Sequence, residues 1–119
     1  MREFTEAYTD ALLWSSTDNA TEQGGETLDA NYTADDLAPE ALAQIVSDCT
    51  DFLSDPHTLE LCEKHGMTRS GHDFWLTRNR HGVGFWDRGH GAEGDYLTDR
   101  AHVYGEQDPY VGDDGQIYL

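Results

Sequence analysis

The sequence predicts a small α+β domain in which N-terminal helices are followed by a β-hairpin, a helix and a C-terminal β-hairpin. Three observations support this. Apolar residues recur at helical spacing through residues 1–71, aromatic residues and glycines cluster in residues 72–119, and Asp114-Gly115 is a strong hairpin-turn signal near the end. A chain of 119 residues fits one domain. We therefore expect four short antiparallel strands with the helices on one face.

The first helix is predicted over about residues 3–14. Five apolar side chains recur there at helical spacing: Phe4, Ala7, Tyr8, Ala11 and Leu12. The polar residues 15–32 that follow are centred on Gly24-Gly25, which predicts a surface loop.

Two prolines mark the next two helix starts. Pro39 suits the first turn of a helix, and Asp55-Pro56 reads as an N-cap followed by an N1 proline. The third helix is expected to end at Gly66. One face of the second helix is predicted to be apolar: Leu42, Ile45, Val46, Cys49, Phe52 and Leu53.

After Gly71 the pattern changes. Residues 72–80 and 83–88 flank Arg80-His81-Gly82, which predicts an aromatic β-hairpin. A glycine-rich bend at residues 89–94 precedes a helix carrying Leu97, Ala101 and Tyr104. The closing hairpin is predicted from residues 110–111 and 116–119 around the turn 112–115.

Charge is the strongest functional indicator. The chain has 24 acidic and 7 basic residues, a formal net charge of -17. Residues 1–71 carry 15 acidic and 3 basic residues, whereas residues 72–119 carry 9 and 4. Such a field repels nucleic acid and anionic membranes and attracts basic protein surfaces. We therefore expect a basic protein partner, with no direct nucleic-acid or membrane binding.

Hydropathy and cysteine content indicate the location and the redox state of the protein. It shows no apolar run of the roughly 20 residues that a membrane span needs, and its first residues lack a signal-peptide core. We expect a cytoplasmic protein. Cys49 and Cys62 do not make a disulfide framework, and buried reduced thiols are favoured over a redox pair.

Several sequence runs resemble one protein family. These are GHDFWLTRN at 71–79, HGVGFWDR at 81–88 and YVGDDG at 110–115, with ALLWSST at 11–17 and DLAPE at 36–40. Together they are similar to a family of small acidic proteins of bacteriophages and mobile elements. The resemblance covers nearly the whole chain and implies a phage context, but it brings no catalytic residues with it.

Catalytic and metal chemistry are the weaker readings. His72, His81 and His90 lie nine residues apart, without the close-set ligand pair typical of zinc sites. No nucleophile motif or phosphate-binding loop accompanies the basic and polar cluster around Arg78 and Arg80. We predict no enzyme, no cofactor and no metal. A small metal-dependent enzyme built on the three histidines is the third alternative.

The leading hypothesis is a phage-encoded binding protein that inhibits or modulates a host nucleic-acid-handling or defence protein, by imitating the charge array of nucleic acid. The runner-up is an accessory or structural phage protein whose acidity serves solubility or salt tolerance. For the first, an exposed aromatic anchor is expected beside spaced carboxylates. The predicted contact residues are Trp14, Asp35, Asp36, Glu40, Asp48, Asp51 and Trp75.

Overall fold

The computed structural model describes residues 2–18, 26–81 and 83–119, and this part of the chain is mostly helical. Its α-helices are α1 (Arg2–Ser15), α2 (Pro39–Leu53), α3 (Pro56–His65), α4 (Met67–Arg78) and α5 (Ala92–His102). Short 3-10 helices cover Leu28–Ala30, Ala34–Asp36 and Phe85–Asp87. The strands are β1 (Thr17–Asp18), β2 (Glu26–Thr27), β3 (Tyr110–Val111) and β4 (Ile117–Tyr118). The loop centre predicted at Gly24-Gly25 lies outside the described residues.

The predicted helices of the first part are confirmed, and their starts follow from their sequence. Pro39 and Pro56 open α2 and α3, where the missing backbone N–H costs nothing. Asp55 caps α3 by accepting the backbone N–H of Thr58 at 3.0 Å. The same carboxylate accepts the Tyr96 hydroxyl at 2.6 Å, which ties the start of α3 to α5. The helix predicted around Leu97 and Ala101 is α5, although Tyr104 lies beyond its end.

The aromatic hairpin predicted at residues 72–88 is wrong. Residues 72–78 belong to α4, and part of 83–88 forms the 3-10 helix Phe85–Asp87. From Asp73 to Arg78 every residue of α4 is buried, including the polar Asp73, Thr77 and Arg78, so polarity does not mark an exposed side and the helical period is hidden. A short enclosed segment of this kind is not distinguished from a strand by periodicity alone.

Gly71 lies inside α4 and brings that helix against α1. A Cβ placed at Gly71 would overlap the carbonyl oxygen of Phe4, so only glycine allows this approach without a shift. Further along, the indole N–H of Trp75 donates to Ser15 Oγ at 2.8 Å. The two helices therefore run in the same direction, with Phe4 at one end of the contact and Ser15 at the other.

Stacked aromatic rings fill the core. Phe52 from α2 and Phe74 from α4 lie 4.1 Å apart between ring centroids, at 10°. Phe4 packs against both of them, and Phe85 stacks on Phe52 from the far side. Aromatic side chains bury large areas, so a chain with only 37% apolar residues still builds a continuous core.

A buried arginine joins four parts of the fold. Arg78 Nη1 donates to Asp48 Oδ2 at 2.7 Å and to the Tyr8 hydroxyl at 3.0 Å. Its Nε and Nη2 donate to the carbonyl oxygens of Gly105 and Tyr104, each at 2.9 Å. Arg78 thus connects α1, α2 and α4 with the segment after α5. Arg78, predicted in a strand of the aromatic hairpin, lies instead at the end of α4 and is buried.

The C-terminal hairpin is confirmed at β3 and β4, with Gly115 at φ +78° in its turn. Strand β4 lies beside the start of α2, where the Ala38 N–H donates to the Ile117 carbonyl at 2.9 Å. The strands do not form the predicted four-stranded layer. In the described residues they make two separate pairs, β1 with β2 and β3 with β4.

We predict that Arg78→Met destabilises the fold by about 3–5 kcal/mol, because it leaves the Asp48 carboxylate buried without its partner. Urea unfolding followed by circular dichroism measures the change. The exposed Arg80→Met should cost less than about 0.5 kcal/mol. Combining Arg78→Met with Asp48→Leu should recover much of the loss, and a double variant as unstable as the single one would contradict the explanation.

A second prediction concerns Asp55. Hydrogen bonds from Tyr96 and Thr58 lower the pKa of Asp55 from 3.8 to about 2. A carboxyl with a depressed folded pKa stabilises the protein above its unfolded pKa, so this contribution disappears as the pH falls from about 4 to about 2. Asp55→Ala should therefore lower Tm at pH 6 and match the parent Tm near pH 2. Glu60→Gln serves as the control, and an Asp55→Ala deficit of equal size at both pH values would refute the assignment.

Candidate partner-binding surface

The solvent-facing strip of α1 is acidic and ends in a tryptophan. Most of the helix circumference is buried, and the exposed residues of its middle and end are Glu6, Asp10 and Trp14, aligned with Glu3 at the start. At a rise of about 1.5 Å per residue, Glu3 and Asp10 are about 10 Å apart along the axis. Along that length the strip carries three carboxylates, of which Glu6 is paired with Arg2, whereas one DNA strand has one phosphate per about 3.4 Å.

An apolar groove separates this strip from α2. Leu37 and Leu42 line it on the α2 side, while Glu6 and Asp10 stand on the α1 side. Its volume is about 190 Å³. Val46 lies one turn beyond Leu42 and extends the apolar surface. We call the strip and the groove together the α1–α2 face: Glu3, Thr5, Glu6, Thr9, Asp10, Trp14, Ala34, Leu37, Leu42 and Val46.

Leu42 and Val46 correct one sequence expectation. Both were predicted on the core-facing side of α2, yet they are 48% and 47% exposed. Ile45, Cys49 and Phe52 fill the core instead. Two neighbouring large aliphatic side chains left in water beside a groove are a feature of interaction surfaces.

The predicted contact residues do not share one surface. Asp35 and Asp36 belong to the 3-10 helix whose first residue, Ala34, borders the groove, and Asp36 accepts the Thr33 N–H at 2.8 Å. Glu40 is exposed, but it lines a different depression beside the C-terminal hairpin. Asp51 is exposed and accepts the Tyr104 hydroxyl.

Two of the predicted contacts are inside the protein. Trp75 is 1% exposed, so it is no surface anchor, whereas Trp14 at 42% can be one. Asp48 is buried between Arg78 and Gln44, whose amide donates to it at 2.8 Å. The expectation that Asp48 is presented to a partner is wrong because α4 covers that side of α2.

The basic side chains are largely engaged within the protein. Five of them form ion pairs: Arg2 with Glu6, Lys64 with Glu93, Arg78 with Asp48, Arg80 with Glu106 and Arg88 with Asp73. Arg100 donates to the Phe52 carbonyl at 3.1 Å. Apart from the Arg2–Glu6 pair, these cations are not used at the α1–α2 face. Glu6 is offset by Arg2, so Glu3 and Asp10 are the carboxylates of this face that act on whatever approaches from solvent.

The histidines make local contacts. The His90 ring stacks on His65 with centroids 3.7 Å apart, and His65 Nε2 lies 2.9 Å from Glu93 Oε1. Burial and the neighbouring His65 lower the pKa of His90. Within residues 2–18, 26–81 and 83–119, no group of three or more His, Cys, Asp or Glu side chains is arranged to hold a metal ion.

Comparison with known proteins does not assign the chain to a family: no protein family, curated protein or solved structure matches it. Over the described ranges, none of the helices combines the length and the apolar character needed to cross a membrane.

The buried thiols yield a further prediction. Burial raises the pKa of Cys49 to about 12 and that of Cys62 to about 11, so both are protonated at neutral pH. Both should react with a disulfide reagent such as DTNB at least about 100-fold more slowly in the folded protein than in denaturant. Rapid labelling of either thiol in the native protein would indicate a reactive cysteine instead.

Proposed function

We propose that this protein is a binding module that presents an acidic, partly apolar surface to a basic partner protein. The observation that carries the proposal is the α1–α2 face, where Leu42 and Val46 are exposed beside a groove rimmed by Glu6 and Asp10. Protein interfaces commonly combine an apolar centre with a charged rim. Trp14 on the same helix supplies the kind of aromatic anchor that dominates binding energies.

The charge of the face indicates the chemistry of the partner. A net charge of -17 accelerates encounter with a positively charged protein and opposes binding to nucleic acid itself. The partner surface should offer lysine or arginine side chains around at least one apolar residue that enters the groove. Association should be fast and weaken with salt.

Proteins that handle nucleic acids have such basic surfaces, because they bind phosphates with Lys and Arg. The strip Glu3, Glu6 and Asp10 is spaced to occupy part of a phosphate-binding track. The resemblance to phage and mobile-element proteins is the reason to place the partner in a bacterial host. We therefore favour inhibition or modulation of a host nucleic-acid-handling or defence enzyme.

A second candidate is an accessory phage protein whose acidity serves solubility. It is favoured by the exposed acids on other elements, such as Glu60 on α3, Asp99 on α5 and Asp113 in the last turn. Spread carboxylates of this kind keep a protein soluble without recognising a partner. The two functions differ in one respect: only partner binding depends on where the carboxylates lie on the surface.

The test begins with the capture of proteins from a bacterial host lysate at low salt. Bound proteins are released at about 0.5 M salt, because charge screening is strong there, and are then identified. Its affinity is then measured with variants of the purified chain. Glu3→Lys combined with Asp10→Lys should weaken binding at least about tenfold, and Leu42→Ser with Val46→Ser should do so without a charge change.

The matched control is Glu60→Lys combined with Asp99→Lys, which changes the net charge equally on other elements. It should weaken binding by less than about threefold, since only the general field is altered. Equal losses in the two charge-reversal pairs, together with unchanged binding by the Leu42 and Val46 variants, would favour the solubility function.

A further inference from the structure

Two imidazole rings stack where the end of α3 meets the segment before α5. The ring of His65, the last residue of α3, lies 3.7 Å from the ring of His90 between centroids, at an interplanar angle of 21°. His90 belongs to the short connection between the 3-10 helix Phe85–Asp87 and α5. Both residues are partly buried. The stack is therefore a contact between two elements that are distant in sequence, and it is made by side chains that can gain charge.

A carboxylate from α5 binds one of the two rings. Glu93 lies in the first turn of α5, and its Oε1 is 2.9 Å from His65 Nε2. Because a carboxylate can only accept, His65 Nε2 carries a hydrogen and donates it. Lys64 Nζ donates to both oxygens of Glu93, at 3.0 Å each. The hydrogen bonds from Lys64 and His65 lower the pKa of Glu93, so this carboxylate is ionised at neutral and mildly acidic pH.

The charges around His90 do not favour a proton on its ring. The groups that face it come from three helices: His65 on α3, Arg69 and Asp73 on α4, and Glu93 on α5. Asp73 is bound to Arg88 at 2.8 Å, and Glu93 has the partners described above. Burial, and after it the neighbouring His65, lower the pKa of His90.

The backbone on both sides of His90 has the residues of a hinge. Gly89 and Gly91 have φ angles of +75° and +63°, in the left-handed region that favours glycine. No atom of the described chain lies within 4 Å of a Cβ placed at either of them. On its other side, His90 packs on α5, where a Cβ at Gly94 would lie 3.3 Å from His90 Cβ. The segment 88–91 is therefore held against α3 by the imidazole stack, and that contact depends on charge.

We propose that the His65–His90 pair is a pH-sensitive switch: the stack holds residues 88–91 against α3 while at least one ring is neutral, and it opens when both rings are protonated. Two cations at a centroid distance of 3.7 Å repel each other. Protonated His65 retains its bond to Glu93, whereas protonated His90 faces the His65 cation. The switch does not rest on the α1–α2 face.

The sign of the pH dependence follows from His90. Its pKa is lowered in the closed state, and opening returns it towards the ordinary value of about 6.5. The open state therefore binds more protons, so a fall in pH below about 6.5 favours opening. Glu93 stays ionised over this range because its pKa is lowered from 4.5, so protonation of that carboxylate is not the cause.

The experiment is nuclear magnetic resonance of the purified full chain at about pH 7 and about pH 5, with EDTA present so that no metal ion bridges the rings. Cross-relaxation between the carbon-bound ring protons of His65 and His90 reports on the stack, and the ¹⁵N relaxation of Gly89 and Gly91 reports on motion of the segment. From the higher to the lower pH, the cross-relaxation should fall at least about fivefold, and both glycines should become more mobile.

Matched variants separate the stacked pair from a general effect of acid. His90→Phe keeps an aromatic ring against His65 but removes the second charge, so the segment should be equally rigid at both pH values. His81→Phe removes an exposed histidine outside the pair and should leave the response unchanged. In His65→Phe, His90 should titrate at a higher pH than in the parent, because the neighbouring cation is gone while burial remains.

Three results would overturn the proposal: rings that stay in contact at about pH 5, a His90→Phe variant that opens with acid as the parent does, or a His81→Phe variant that no longer opens. Since no partner protein is used, failure here leaves binding through the α1–α2 face standing. Conversely, failure of the partner experiment leaves the switch standing.

Discussion

The structure depends on one buried charge. Arg78 extends from α4, and its acceptors come from α1, α2 and the segment after α5. A guanidinium removed from water is tolerated only when its donors are used, so these elements must be correctly placed at the same time. The same arginine fixes residues 104–105, where the chain leaves α5. One interior ion pair thus holds together parts of the chain that are distant in sequence.

Local signals in the sequence were sufficient for the elements that lie at the periphery. The prolines and Asp55 mark the starts of α2 and α3, and Asp114-Gly115 marks the last turn. The central α4 was missed because all residues of its second half are buried, including polar ones, so polarity shows no helical period there. The change of pattern at Gly71 suggested a boundary between elements. A glycine is needed there because the helix approaches the Phe4 carbonyl, which is distant in sequence.

The candidate surface was predictable in its charge but not in its members. The acidic character and Trp14 follow from composition and helical spacing. The inward positions of Asp48 and Trp75 follow from where α4 packs, which no local pattern contains. The same holds for Leu42 and Val46, which have the residue type of a core but are about half exposed on α2.

The close contact of α1 with α4 has a consequence for how the chain folds. Tyr8 and Arg78 are 70 residues apart, and Ser15 and Trp75 are 60 apart. Closing such a loop costs entropy before any contact compensates for it. The first helix also leaves the ribosome well before α4, and until α4 has been synthesised α1 lacks its main packing partner. The acidic first part and the aromatic second part of the sequence must therefore fold together, as one cooperative unit.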